Sequence, residues 1–290
     1  MGLLQQAVKT YDVMDNIGLV GKYEEGKEPL APIAHILCNA HILITLNNKG
    51  EFVDAEKINK KIIIPVSEES SGRTSSPSAH PLCDNISYIS GLDKNKYELY
   101  LKSLSEWVTS PYNDIKIDLI LKYVEKKTLL NDISHLISYD DDGEVSNARD
   151  NICWKIIGLD NNNGTVFEDK SLMNKYILFY FEKKQNNSKL DYCYISGTTE
   201  YIANQHIKGI VPLFGNARLI SSNDKSNFSY RGRFVDSREA LTIGFEASQK
   251  AHNIIKWLVA NQGVKIGKRV FICWNPNGKE IPIINSPLLK

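Results

Sequence analysis

No run in this chain approaches the roughly 20 apolar residues that a membrane-spanning helix needs, and its amphipathic opening does not read as a secretion signal. Cysteine is scarce. The five thiols (Cys38, Cys83, Cys153, Cys193, Cys273) are odd in number, widely spread and never arranged as Cys-x-x-Cys. That argues against a disulfide framework or zinc ribbon and fits a cytoplasmic protein with reduced thiols. Gly-x-Ser-x-Gly, G-x-x-x-x-G-K-[ST] and G-x-G-x-x-G are all missing. With them go the nucleophile elbow, the phosphate loop and the dinucleotide fingerprint. The carboxylates sit mostly in solvated runs, which leaves no recognisable ligand set for a metal-dependent nuclease. The acidic turn Asp140–Glu144 lacks the spacing of an EF-hand. One metal idea remains, joining His80-x-x-Cys83 to Cys193 and His206, but their separation is not that of a finger or ribbon. No catalytic residue, metal or cofactor is expected. The sequence argues for binding.

What the chain does have is a lopsided charge distribution. Net charge is only +1, yet residues 201–270 hold 11 Lys and Arg against 4 Asp and Glu, while residues 111–170 hold 7 against 12. Positive potential is thereby concentrated where an anionic partner would meet it. Its centre is Asn216–Phe234, where Arg218, Lys225, Arg231 and Arg233 alternate with serines, asparagines and the rings of Phe228, Tyr230 and Phe234. Hydroxyls and amides contact phosphates, arginines neutralise them, and aromatic faces take stacked bases. A polar loop that merely joins two strands fits the same composition.

The spacing predicts an α+β fold, an antiparallel sheet with hairpins packed by several helices. Leu3, Leu4, Ala7, Val8, Tyr11 and Met14 mark an opening helix. Asn47-Asn-Lys-Gly50 joins two strands as a hairpin, and Ile62–Val66 reads as another short strand near an edge because of Pro65. Ser67–Ala79 reads as an exposed, mobile loop carrying Arg73. Asp93 caps a helix through Trp107, and a second follows through Val124. Tyr176–Phe181 suits helix or strand. Strands are expected at Ile152–Ile157, Tyr192–Ile195 and Arg269–Trp274. A long helix near 236–262 is expected to start at a capping box of Asp236 and Glu239.

Several pieces in this order resemble a known family. They are Ala31-Pro32, Asn47–Gly50, Leu82-Cys-Asp-Asn-Ile-Ser-Tyr88 with Gly91, Cys193-Tyr-Ile-Ser-Gly197 and Ile202-Ala203. His206-Ile-Lys-Gly209, Ser222-Asn223 with Phe228-Ser-Tyr230, and Val270-Phe271 with Trp274 complete the set. Together they look like the N-terminal half of the large subunit of the type I-C CRISPR surveillance complex, Cascade. Ser222 and Asn227 stand where that family usually has phenylalanine and alanine.

The resemblance implies that residues 1–290 form the N-terminal domain of a large subunit, with a possible subdivision near 110–150 and the helical C-terminal domain absent. It further implies a DNA-binding subunit without catalysis, which recognises the short duplex motif beside the target (the PAM) and helps open the DNA for guide pairing. The implied partners are target double-stranded DNA, the guide RNA ribonucleoprotein with the other Cascade subunits, and a recruited helicase-nuclease; no membrane is involved. By side-chain chemistry Asn85, Asn223 and Asn227 suit base edges, and Arg73, Arg218, Lys225, Arg231 and Arg233 suit phosphates. Phe228, Ser229 and Tyr230 suit stacking and backbone contact. A structural turn at Asn85 and core packing of Phe228 and Tyr230 are the alternatives at those positions. Two other functions stay open: a metal-dependent nucleic-acid enzyme built on His80, Cys83, Cys193 and His206, and a scaffold that touches only protein.

Overall fold

The computed structural model describes residues 2–73, 76–159, 164–220, 234 and 241–279. Its first element, α1 (Leu3–Asn16), buries Ala7, Thr10, Tyr11 and Met14 along one stripe, as the apolar spacing predicts. Then comes the hairpin of β1 (His35–Leu46) and β2 (Phe52–Pro65). Its turn is closed by Asn47, whose Oδ1 accepts the N–H groups of Lys49 (2.8 Å) and Glu51 (3.0 Å). Gly50 turns with φ of 71°, and a Cβ there would stand 2.9 Å from the Leu119 carbonyl oxygen, so only glycine suits the position.

The chain continues through α2 (Glu68–Gly72), α3 (Ile86–Ile89), α4 (Lys94–Val108), α5 (Ile115–Glu125), α6 (Leu129–Asp132), β3 (Ile152–Ile156) and β4 (Gly164–Thr165). After these come α7 (Lys170–Asn187), β5 (Leu190–Tyr192) and β6 (Thr199–Tyr201), then α8 (Phe245–Gln262), β7 (Val264–Ile266) and β8 (Arg269–Phe271). The fold is α+β. It divides into two compact units, one of residues Ala34–Glu182 and one assembled from Met1–Ile33 with Lys183–Lys290. The first is therefore an insertion in the sequence of the second.

The inserted unit holds a four-stranded sheet in the order β2-β1-β3-β4. Its outer pairs are antiparallel, but β1 and β3 run parallel from Ile42 opposite Ile152 to Leu46 opposite Ile156. The mainly antiparallel sheet with a hairpin that the sequence predicts is present, with this parallel step inside it. The parallel step arises because β3 returns only after α4, α5 and α6 have intervened, a connection long enough for a crossover. Ala40, Ile42, Ile44 and Leu46 are fully buried, with Trp107, Trp154, Tyr100 and Tyr123 in the same core. Pro65 ends the edge strand β2, where no ladder donor is required of it. Ile62–Val66 is thus the end of β2 and not a separate strand.

In the discontinuous unit, α1 packs on α8 through Ala7, Tyr11, Met14, Ala251, Ile254, Ile255 and Leu258. Asn253 Nδ2 on α8 donates to the carbonyls of Ala31 (3.2 Å) and Pro32 (3.0 Å). Asn261 clasps the backbone of Glu28 from both sides, at 2.9 and 3.1 Å. No helix among the described residues is long and apolar enough to cross a membrane.

Four expectations are corrected. Ser67–Ala79 is not simply an exposed loop. Ser67 and Ser70 accept each other's backbone N–H (3.1 and 3.0 Å), which nucleates α2 and buries Glu68 and Ser70. The long helix begins after Gly244 and not at Asp236, because residues 242–244 pair with neighbouring extended segments first. Asp236 and Glu239 themselves lie outside the described residues. The strand expected at Tyr192–Ile195 lies earlier, at Leu190–Tyr192, and the last strand stops at Phe271. Tyr176–Phe181, ambiguous in sequence, is helical within α7, with Tyr176 and Tyr180 buried one turn apart.

Candidate nucleic-acid interface

Of the residues singled out by sequence, Arg73, Asn85 and Arg218 are among those described. Asn223, Lys225, Asn227, Phe228, Ser229, Tyr230, Arg231 and Arg233 lie outside the described residues. The three that are described fall into two local arrangements, one in each unit.

In the inserted unit, Arg73 follows the end of α2 and grips Asp84. Nη1 and Nη2 each donate at 2.7 Å to one carboxylate oxygen, and Nη1 also reaches the Ser78 carbonyl at 2.7 Å. Asp84 is fully buried and takes two more donors, the backbone N–H of His80 and of Asn85, both at 2.8 Å. All four acceptor sites of a carboxylate are then filled, the condition under which a buried charge is tolerated. The guanidinium lies 4.6 Å over the Tyr88 ring, and Lys96 stands 5.8 Å from the same ring. Asn85 is the N-cap residue of α3, and its Oδ1 accepts from Ser87 Oγ at 2.6 Å. Leu82, with φ of 65°, turns its carbonyl toward two buried donors, Tyr100 Oη and Trp154 Nε1. Residues 82–88 are thus a structural clasp, and Arg73 is one of its parts. Sequence reasoning could not pair Arg73 with Asp84, because no periodicity connects a helix C-terminus to a buried acid eleven positions on.

In the discontinuous unit, Arg218 stands at the entrance to the serine- and arginine-rich stretch. Its Nη1 donates to the His206 carbonyl (2.8 Å) and Nη2 to Gln205 Oε1 (3.3 Å), while its backbone bridges to Lys208. His206 Nδ1 meets Ser248 Oγ at 2.8 Å, and His252 Nδ1 meets the Ser248 carbonyl at 2.7 Å. A carbonyl only accepts, so His252 carries its proton on Nδ1, and Ser248 Oγ is free to donate to His206. The two rings stack at 5.7 Å. Burial holds both neutral: it pulls His206 down to about 3, helped by His252 and Arg218, and lowers His252 as well.

The two described ends of the stretch meet. Ile220 and Ile243 join Cys193 and Ala247 in one apolar cluster. Thr242 Oγ1 donates to the Tyr192 carbonyl at 2.6 Å, and Ala203 N–H donates to the Ile243 carbonyl at 2.9 Å. The N-terminus of α8 would ordinarily favour an anion. Glu200 stands against Gly244, where a Cβ would collide with its carboxylate.

His80 and Cys83 belong to the inserted unit, and Cys193 and His206 to the other. Among the described residues no three His, Cys, Asp or Glu side chains converge as a metal site would require. Burial lowers His80 to about 4 and raises the thiols, Cys38 to about 11 and Cys153 to about 12, with Cys83 well above the ordinary range. Thiols held protonated at neutral pH are poor nucleophiles and poor ligands. A cavity of about 20 Å³ lined by His35, Ile62, Ile64, Trp107, Trp154 and Met173 is almost wholly apolar, which suits a packing gap better than a polar ligand site.

A family model described as CRISPR-associated protein (Cas_Csd1) matches residues 18–288 of the chain. No curated protein matches it.

Proposed function

The chain belongs to the CRISPR-associated Cas_Csd1 family, and from that premise we propose that it is the DNA-binding part of the large subunit of a type I-C Cascade complex. In that role it recognises the PAM duplex and helps open target DNA for guide-RNA pairing. Guide pairing supplies the long sequence readout, so the protein needs only to read a few base pairs and grip the backbone. It works in the cytoplasm beside the guide ribonucleoprotein and the recruited helicase-nuclease, with no chemistry of its own. The protonated, buried thiols support the last point.

The observation that carries this reading is the match to the family over residues 18–288, coupled with the positive balance of residues 201–270. The phosphate-binding work is assigned to Arg218, Lys225, Arg231 and Arg233, base-edge contacts to Asn223 and Asn227, and stacking to Phe228 and Tyr230. Arg73 and Asn85 serve the clasp and drop out of the contact set. Band shifts on duplexes with and without a candidate motif test it. Arg231→Ala with Arg233→Ala should weaken duplex binding and flatten its salt dependence by about one unit of slope per lost contact. Unchanged binding at low salt removes the stretch from the interface.

A further inference from the structure

At Gly263 the chain leaves α8 and folds at once into the two-stranded ribbon β7–β8, in which Val264 faces Phe271 and Ile266 faces Arg269. Gly267, with φ of 59°, and Lys268 close the turn. Strand alternation places Val264, Ile266, Arg269 and Phe271 on one face and Lys265 and Val270 on the other. Val270 is the side chain that packs against the α1–α8 core. The opposite face therefore presents Ile266, 61% exposed, and Phe271, 44% exposed, with Arg269 beside them. Lys265, Lys268 and Arg269 are exposed and form no side-chain hydrogen bond or ion pair among the described residues. Residues 263–279 contain no Asp or Glu. An isolated ribbon of this size gains little stability from leaving an aromatic and an isoleucine in water beside unpaired cations.

We propose that β7–β8 is a second contact to duplex DNA, entering a groove with Arg269 and the turn residue Lys268 on phosphates and with Phe271 and Ile266 against sugars and base edges. This rests on the DNA-binding reading above. A two-stranded ribbon fits the major groove, and exposed apolar side chains at its base suit contact with thymine methyls or an unstacked step. The contact is distinct from the serine- and arginine-rich stretch. Arg218 is tied through His206 to Ser248 in the first turns of α8, whereas the ribbon leaves the other end of that helix. Eighteen residues at 1.5 Å each make α8 about 27 Å long, so Arg218 and the ribbon stand near its opposite ends, a span of about eight base pairs of duplex.

The test is fluorescence anisotropy across a salt series, using the full chain and a labelled duplex of three helical turns. Lys268→Gln and Arg269→Gln are combined in one variant. A charge-matched control carries Lys94→Gln and Lys102→Gln. The ribbon variant is expected to lose about 10-fold or more in affinity and about two units of salt slope, with the control close to wild type. Phe271→Ala should weaken binding while leaving the slope unchanged. Thermal melts equal to wild type exclude misfolding. A ribbon variant that behaves like the control overturns the ribbon contact and leaves the DNA reading standing, whereas a wild-type chain with no salt-dependent duplex binding sinks that reading itself. If the ribbon variant instead loses binding only to phosphatidylserine vesicles, its partner is a membrane surface and the proposal fails.

Discussion

Arg73 and Asp84 face each other as a two-pronged ion pair, with each guanidinium nitrogen 2.7 Å from its own carboxylate oxygen. Asp84 is wholly buried, while the arginine side chain keeps about a fifth of its surface. The carboxylate therefore depends on its partner more than the guanidinium does. Arg73→Ala strands a buried negative charge and should destabilise the inserted unit by about 3 kcal/mol. Asp84→Asn keeps the shape but removes the charge and should cost somewhat less. Urea unfolding followed by fluorescence measures both, and a loss below 1 kcal/mol for Arg73→Ala would mean that the clasp is not a stability element.

Gly244 offers a second, independent check. A Cβ there would collide with the Glu200 carboxylate and also stand 2.9 Å from Glu200 Cβ, so the clash cannot be relieved by swinging a flexible end aside. Gly244→Ala should destabilise by about 1–3 kcal/mol. Glu200→Gly on top of it should restore much of the loss, giving a strong coupling in a double-mutant cycle. Additive effects would place Glu200 elsewhere.

Acid should weaken the fold through its buried histidines. Folded His80 and His206 titrate near 4 and 3, and His252 is lowered too, each chiefly by burial. Once unfolded they bind protons near pH 6.5. Above that value both states are neutral and the histidines cost nothing. As pH falls below about 6.5 the unfolded chain takes up protons that the folded chain refuses, so stability declines down toward pH 3 to 4. Melting temperatures recorded from pH 8 to 4 report this, and replacing His206 with Gln should make the decline shallower.

Thiol reactivity gives a fourth expectation. Cys273 is the exposed cysteine, whereas Cys83, Cys153 and Cys193 are buried and Cys38 is pushed up to about 11 by burial. A thiol reagent at neutral pH should label Cys273 first, and the buried three only after denaturant is added. Rapid labelling of Cys83 in the native protein would contradict the arrangement of residues 80–88.

Much of this architecture is written locally. The α1 stripe, the Asn47–Gly50 turn, and the Asp93 cap, whose carboxylate accepts from Lys96 N–H at 3.1 Å, each depend on residues a few positions apart. What escaped the sequence reading depends on distant partners. The parallel pairing of β1 with β3 and the Arg73–Asp84 bond join positions that no periodicity links. The short helix α2 hid in a polar stretch because its stability comes from two serines capping each other and not from an apolar face. At the candidate interface, composition located the positive region, but it did not distinguish Arg218, engaged with His206 and Gln205, from the cations of β7–β8 that are not so engaged. The ribbon's own signal was a glycine-lysine turn between two short β-prone runs. It was read as one strand, Arg269–Trp274, because the preceding Val264–Ile266 is only three residues long.

The insertion of Ala34–Glu182 into its host has a consequence for biosynthesis. On the ribosome, the inserted unit is translated in full while α1 still waits for α8, which is synthesised only after the chain has grown from Asn16 to Phe245. At 5–20 residues per second that interval is on the order of 10–50 s. Throughout it Tyr11 and Met14 have only the short segment around Leu19, Val20 and Leu30 for native cover, so the nascent chain must shield its own leading helix, or borrow a chaperone, until α8 emerges.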